Sequence, residues 1–318
     1  MQRLPQIFHG MAWRILTVKF FAVCLLGTLV ITYFLAISPM TDVCNCEDQA
    51  TRGNSITDDN NLEKRDQNAR HKLGVLVPYR DRFEELMVFI PHMQNFLKKQ
   101  NIVNHIYILN QVDTYRFNRA SLINVGFELS MIDGCDYVAM HDVDLLPLNS
   151  NLSYDYPANG PVHLAAPHLH PRKHFKLVNG MSNKYWGWGL EDDEFYVRLK
   201  EAGLNITRPQ NISTGIHDTF KHIHDRLRRR RDMAKCYNQR EVTRRRDRQT
   251  GLSTLRYTLE SHRKLSVDGG EPVSLLEVKL YCDRNITPWC ECSPLVTTPQ
   301  ARTSSHSTPH LNIVSHGS

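Results

Sequence analysis

Two carboxylates one residue apart, Asp142-Val-Asp144, follow the apolar run Tyr137-Val-Ala-Met140, which suits a buried strand. Carboxylate oxygens placed this way can hold a divalent cation, and such a cation neutralises charge on a departing phosphate. A second pair, His222-Ile-His224, has the spacing that puts two side chains on one face of a strand, so both imidazoles could reach one ion. Asp144 with His222 and His224 makes a mixed oxygen and nitrogen set, which suits Mn²⁺ better than Mg²⁺. The third signal is Trp186-Gly-Trp-Gly-Leu-Glu-Asp-Asp-Glu-Phe195. A tryptophan face can stack on the C–H face of a sugar, and glycines let the backbone approach a ligand. Glu191, Asp192 and Asp193 can accept sugar hydroxyls, and one of them can act as general base. Taken singly, each signal has a plainer explanation: a solvated turn, a satisfied histidine pair, an acidic helix start. A Trp-Gly-Trp-Gly run directly before the acids favours the chemical reading.

These residues need a frame. Leu73-Gly-Val-Leu-Val77 predicts a buried strand ended by Pro78, and His105-Ile-Tyr-Ile-Leu109 a second. Phe83 to Lys98 carries Leu86, Phe89, Ile90, Met93, Phe96 and Leu97 at helical spacing, and Arg119 to Ile132 reads as a second helix. Strands alternating with helices predict an α/β fold around a mainly parallel sheet. Ligands of such sheets sit beyond the carboxyl ends of the strands. Both Pro78-Tyr-Arg-Asp-Arg82 and Asp142-Val-Asp144 fall at that edge.

The 318 residues carry a net charge of +6, 41% hydrophobic residues and eight cysteines, which excludes a wholly disordered chain and a small disulfide scaffold. Phe20 to Thr41 has no charged residue and is long enough to span a bilayer. Arg3, Arg14 and Lys19 precede it, and Asp42, Glu47 and Asp48 follow it, which predicts a type II single-pass protein with a lumenal body. The expected organisation is a cytosolic tail (1–19), a transmembrane signal-anchor (20–41), a flexible stem (42–70), an ordered body (71–295) and a disordered tail (296–318). Sequons at Asn151, Asn205, Asn211 and Asn285 agree with export. Cys282 and Cys290 enclose a short loop and could pair, with Cys292 a rival partner. Residues 226–248 hold eleven Lys or Arg against three acids, so the basic excess is local. A lumenal location excludes nucleic acid as its partner. A solvated face is the plain reading, and attraction of acidic glycan or protein the alternative.

Four segments in order resemble the β-1,4-galactosyltransferase family: His71-Lys-Leu through Val77-Pro-Tyr-Arg-Asp-Arg82, Phe117-Asn-Arg-Ala120 through Asn124-Val-Gly-Phe127, Met140-His-Asp-Val-Asp-Leu-Leu-Pro147, and Asn179-Gly-Met-Ser-Asn-Lys-Tyr through Phe195. The Glu-Asp-Asp-Glu-Phe ending and the His-x-His pair are similar to the branch that uses xylose acceptors. The resemblance implies a GT-A fold, a Rossmann-like mixed sheet flanked by helices. It also implies a Golgi location, Mn²⁺, UDP-galactose as donor and a xylosylated proteoglycan core protein as acceptor. Pro78, Tyr79, Arg80, Asp81 and Arg82 with Phe117, Asn118 and Arg119 would hold uridine and ribose. Asp142, Val143 and Asp144 with His222, Ile223 and His224 would meet the nucleotide sugar, with Asp144, His222 and His224 on the metal. Trp188, Leu190, Glu191, Asp192 and Asp193 would bind the acceptor, Trp188 touching both sugars. Asp192 matches the general base, and Arg231 a diphosphate contact.

The chain departs from the family at one place. Between His168-Leu-His-Pro171 and Asn179 the family runs through a strand with a Gly-Gly pair and a nucleotide-contacting Tyr, and Pro171-Arg-Lys-His-Phe-Lys176 leaves no room for it. Loss of a central strand predicts unpaired ladder groups and an open core. It opens a second reading, a catalytically inactive splice-type variant acting as a membrane-anchored glycan or nucleotide-sugar binding protein.

Overall fold

The computed structural model describes Leu25 and Leu26 and residues 70–164, 168–212, 219–224 and 230–292. The chain divides into two units, 1–55 and 56–318, and the sheets and their flanking helices belong to the second. The expected membrane span, the stem up to residue 69 and the tail lie outside the described residues, save Leu25 and Leu26, which are helical and exposed. Among the described residues no helix is long and apolar enough to cross a membrane.

Strand β1 (Leu73–Tyr79) leads through helix α1 (Phe83–Lys99) to β2 (Asn104–Gln111), then through α2 (Arg119–Ile132) to β3 (Tyr137–Met140). The sheet order is β5-β6-β3-β1-β2-β9-β8, with β5 at Val162–His163, β6 at His168–Pro171, β8 at Tyr257–Leu265 and β9 at Val273–Leu280. Strands β3, β1, β2 and β9 run parallel, while β6, β5 and β8 are antiparallel to their neighbours. Because β2 and β3 flank β1 on opposite sides, the chain reverses its winding at β1. Right-handed crossovers then put α1 and α2 on opposite faces and leave a crevice at the carboxyl ends of β1 and β3.

Alternation along β1 serves both faces. Leu73, Val75 and Val77 pack with Leu86, Phe89, Ile90, Met93 and Leu97 of α1, while Leu76 packs with Ile123, Val125 and Phe127 of α2. Each such burial contributes roughly 1.5–3 kcal/mol. Helix α2 comes close to β2 because residue 126 is glycine: a Cβ there would lie 2.6 Å from Leu109 Cδ1. Pro78 does not end β1 as its type predicts. It pairs with Leu109 of β2, in a stretch where pairing with β3 has already stopped at Leu76. A missing N–H on that side therefore breaks no ladder bond.

The stretch after Pro171 forms a short helix, α3 (Arg172–Leu177), with no strand before Asn179. The predicted open ladder is not found in the described sheet. Strand β6 pairs with β3 over Tyr137–Met140 and β5 pairs with β6, so β3 has a partner on each side. His170 of β6 is buried beside Phe175 and Phe195, and burial depresses its pKa to about 3. A small two-stranded sheet joins β4 (Leu145–Pro147) to β7 (Phe220–His222). Helix α4 (Glu191–Glu201) follows the Trp-Gly-Trp-Gly loop, and α5 (Gln239–Val242) lies in the basic stretch. Cys282 bonds Cys290, and Cys292 bonds Cys236, which resolves the rivalry at the C-terminal cysteines.

Candidate active site

The crevice gathers the acids that the sequence singled out. Asp142 and Asp144 leave the end of β3, and Asp192 sits in the first turn of α4. Arg119, second in the Asn-Arg pair that opens α2, joins them. Its Nε donates to Asp142 Oδ1 at 2.7 Å and its Nη1 to Asp192 Oδ1 at 3.0 Å. Burial works against the Arg119 charge, yet Asp142, Asp192 and Glu191 more than offset it and raise its pKa. In return Arg119 outweighs the burial of Asp142 and holds that carboxyl below the usual range. Glu191 behaves oppositely: burial first, then Asp192, pushes its pKa up, and its Oε2 is buried without a hydrogen-bond partner among the described residues.

Asp144 faces a different neighbour. Its Oδ2 lies 3.4 Å from His224 Nδ1. Arg82 Nη1 donates to that same nitrogen at 2.7 Å, so His224 presents a lone pair there. Burial and then Asp142 raise the Asp144 pKa against the opposing pull of Arg82 and His224. A half-buried carboxyl beside a second acid and an imidazole nitrogen has the donor chemistry of a Mn²⁺ site. The full triad is not assembled: among the described residues no three His, Cys, Asp or Glu side chains are grouped to hold a metal. Strand β7 ends at His222, so the alternation that would align both imidazoles stops before His224. His222 lies on the Asp142 side, where it helps lower that pKa. The backbone keeps the segment in register, since Leu145 pairs with His222 and Ile223 N donates to Asp144 O at 2.9 Å. Val143 is buried in the core between the two acids.

Several residues expected at the nucleotide hold the frame. Arg80 donates to the carbonyls of Gln111, Asp113 and Tyr115 at 2.7–3.1 Å and lies 5.8 Å from the Phe117 ring, so it shapes the loop that carries Phe117. Its pKa is lowered by burial despite Asp113 and Asp81. Asn118 caps α2 by accepting from Ser121 N, and its Nδ2 donates to Asn183 O at 3.0 Å. Asp81 takes the left-handed conformation, φ 52°, in the turn after Tyr79, and that turn leads into Arg82 and α1.

The Trp-Gly-Trp-Gly loop divides its tryptophans. Trp186 is buried against Tyr115, while Trp188 is 46% exposed. Gly187, φ 81°, brings the backbone against Arg116, where a Cβ would lie 2.0 Å from the guanidinium. Trp188 N donates to Asp232 O, Lys235 Nζ donates to Trp188 O, and Arg231 lies 4.8 Å over the Trp188 ring. Leu190, φ 76°, starts α4 without a side-chain cap, and Asp193 is exposed. Arg198, buried, ties α4 down through Glu194 at 2.9 Å and carbonyls of Gly180, Asp247 and Thr250.

Sequence reasoning missed Arg116, Asp232 and His141. Arg116 Nε meets Asp232 Oδ2 at 2.6 Å and its Nη2 donates to Ala234 O, anchoring the loop that bears Arg231. Arg116 precedes Phe117-Asn-Arg119 by one residue, and nothing in its spacing reveals a partner 116 residues away. Buried His141, depressed to about 4 by desolvation, donates from Nδ1 to the Asp142 carbonyl at 2.9 Å, which leaves Nε2 to accept from Tyr154 Oη at 3.1 Å. The basic stretch is only partly a solvated face: Arg246 pairs with buried Glu194 and with Glu201.

Comparison with known proteins agrees with this geometry. Residues 32–157 match the N-terminal region of glycosyl transferase group 7, and residues 154–224 match the N-terminal domain of galactosyltransferase. The chain is 57% identical over 239 residues to β-1,4-galactosyltransferase 7 of Drosophila melanogaster, covering 70% of this chain and 74% of that protein. It is 48% identical over 243 residues to xylosylprotein 4-β-galactosyltransferase of Caenorhabditis elegans, covering 71% and 84%. The crystal structure of the Drosophila β1,4-galactosyltransferase 7 catalytic domain with xylobiose matches with a TM-score of 0.68 and 56% identity, over 70% of this chain and 100% of that one. A mutant of the same enzyme, solved with manganese, UDP-Gal and xylobiose, matches with the same TM-score at 55% identity. An α/β body whose strand-end acids, Trp-Gly-Trp-Gly loop and acidic helix start follow one another in this order belongs to the β-1,4-galactosyltransferase family, glycosyl transferase group 7.

Proposed function

We propose that the protein transfers galactose from UDP-galactose to the 4-hydroxyl of xylose on a proteoglycan core protein, with inversion at the anomeric carbon. The observation that carries this reading is the Asp142–Arg119–Asp192 bridge. It joins an acid at the strand ends, where the nucleotide sugar belongs, to an acid on α4, where the acceptor belongs. Asp192, on an exposed helix start, takes the proton of the attacking hydroxyl. Arg119 holds that carboxylate in place. Trp188 offers a face to the sugars, and Arg231 brings a guanidinium to the same point, suited to a leaving diphosphate. Mn²⁺, the ion present in the related crystal structure, suits Asp144 and His224, with His222 nearby, and when bound it supplies charge neutralisation for the leaving group. One displacement needs no carboxylate nucleophile, unlike double-displacement sugar chemistry. The apolar span at 20–41, the charges around it and the sequons support a type II Golgi membrane protein, with a stem to residue 70 and a lumenal catalytic domain from 71 to 295.

The absent strand between Pro171 and Asn179 supports the second reading, a binding protein on the same fold. Incubating the purified full chain with UDP-galactose, Mn²⁺ and a β-xyloside decides between them. The transfer reading expects a galactosyl-xyloside and released UDP. Calorimetric binding of UDP-galactose with no product would establish the second instead.

A further inference from the structure

We propose that Tyr196 and Val197 of α4, together with Trp188 and Leu190, form a platform for the polypeptide that carries the acceptor xylose. This rests on the transfer reading above and names the part of the substrate beyond the sugar. The exposed stripe of α4 is Asp192, Asp193, Tyr196, Val197 and Lys200, while Glu194, Phe195, Arg198 and Leu199 face the core. Two of its members have no packing reason to be apolar, since Tyr196 is 50% exposed and Val197 39%. Trp188 and Leu190, 46% and 41% exposed, stand in the loop just before. Large apolar residues left exposed beside a site mark a contact surface.

Position selects the occupant. Tyr196 follows Asp192 by four residues, so it lies on the same helix face about 6 Å farther along. In a xylopyranose the 4-hydroxyl and the anomeric oxygen are at opposite ends of the ring. A xylose with its 4-hydroxyl at Asp192 therefore carries its aglycone about one ring length away, a distance comparable to one helical turn. For a xylosylated protein that aglycone is the serine and its flanking backbone. An aromatic ring and a β-branched side chain suit a peptide chain, which offers Cα–H and methylene surface without requiring particular side chains.

Calorimetric titration of the full chain with Mn²⁺ and UDP present, using methyl β-xyloside and a xylosylated peptide, tests this directly. The wild type is expected to bind the peptide about tenfold more tightly than the methyl xyloside. Tyr196→Ser and Val197→Ser should each erode that preference and leave methyl xyloside binding unchanged, while Tyr196→Phe keeps it. Equal binding of the two acceptors by the wild type, a preference that survives both serine variants, or a parallel loss for both acceptors would overturn the proposal. Galactose transfer measured on the same samples separates the two readings. A peptide preference without turnover sinks transfer and leaves the platform, and absence of binding by either acceptor sinks both.

Discussion

Arg119 holds two carboxylates on two different elements, and few side chains could replace it. A lysine ammonium keeps the charge but lacks the planar fork that spans both oxygens. Arg119→Lys is therefore expected to lower kcat more than tenfold while UDP affinity, read by calorimetry, changes by no more than a few fold. An unchanged kcat would reduce Arg119 to a structural ion pair. Asp192→Asn should cut turnover by about 10²–10⁴, the range of general-base contributions, and spare UDP binding. Loss of UDP binding in that variant would argue that Asp192 shapes the donor site instead. At this scale much was legible before any fold was known. Asp142, Asp144 and Asp192 announce themselves by local spacing, since strand ends and helix starts are local features. Arg116 and Asp232 do not, because their meeting depends on how a distant loop returns. The metal set lies between these cases: Asp144, His222 and His224 are residue types that suit Mn²⁺, but where a strand stops, and so whether they converge, is set by tertiary structure.

At the scale of elements, the helices follow their apolar periodicity closely. The expected span from Phe83 to Lys98 is found as Phe83–Lys99, and Arg119 to Ile132 is found unchanged. Strand β8 went unread because it is an edge strand with mostly exposed residues, so it shows no clean apolar face. Strand β6 carries a titration signature. An imidazole near 6.5 in the unfolded chain is held at about 3 in folded His170 by desolvation. Between those values the unfolded state binds the extra proton, so stability present above about pH 6.5 is lost as pH falls toward 3. Urea unfolding is expected to show a loss of roughly 3 kcal/mol between pH 7 and pH 4 from this group. His170→Phe should flatten that dependence, and an equally steep profile in the variant would assign the effect to other groups.

At the scale of the whole body, the Cys236–Cys292 bond closes the longest covalent loop among the described residues, with a separation of 56. In the chain-entropy account a bond of that span stabilises by about 4 kcal/mol. It also fixes one end of the loop that carries Arg231 and Asp232. Cys236→Ser is thus expected to lower Tm and to raise KM for UDP-galactose more than KM for a xyloside. Equal changes in both constants would place the effect on the fold as a whole. The order of strands in the sheet has a consequence for biosynthesis. Strand β9 pairs in parallel with β2 across more than half of the described body, Tyr107 opposite Ser274. During synthesis β1, α1, β2, α2 and β3 can assemble early, but the free edge of β2 waits until residue 280 has emerged. Long-range parallel pairing of this kind folds slowly and leaves a nascent edge open to wrong partners. A chain terminated before β9 would therefore keep an unfinished sheet with the edge of β2 open, even though it carries every acid of the active site.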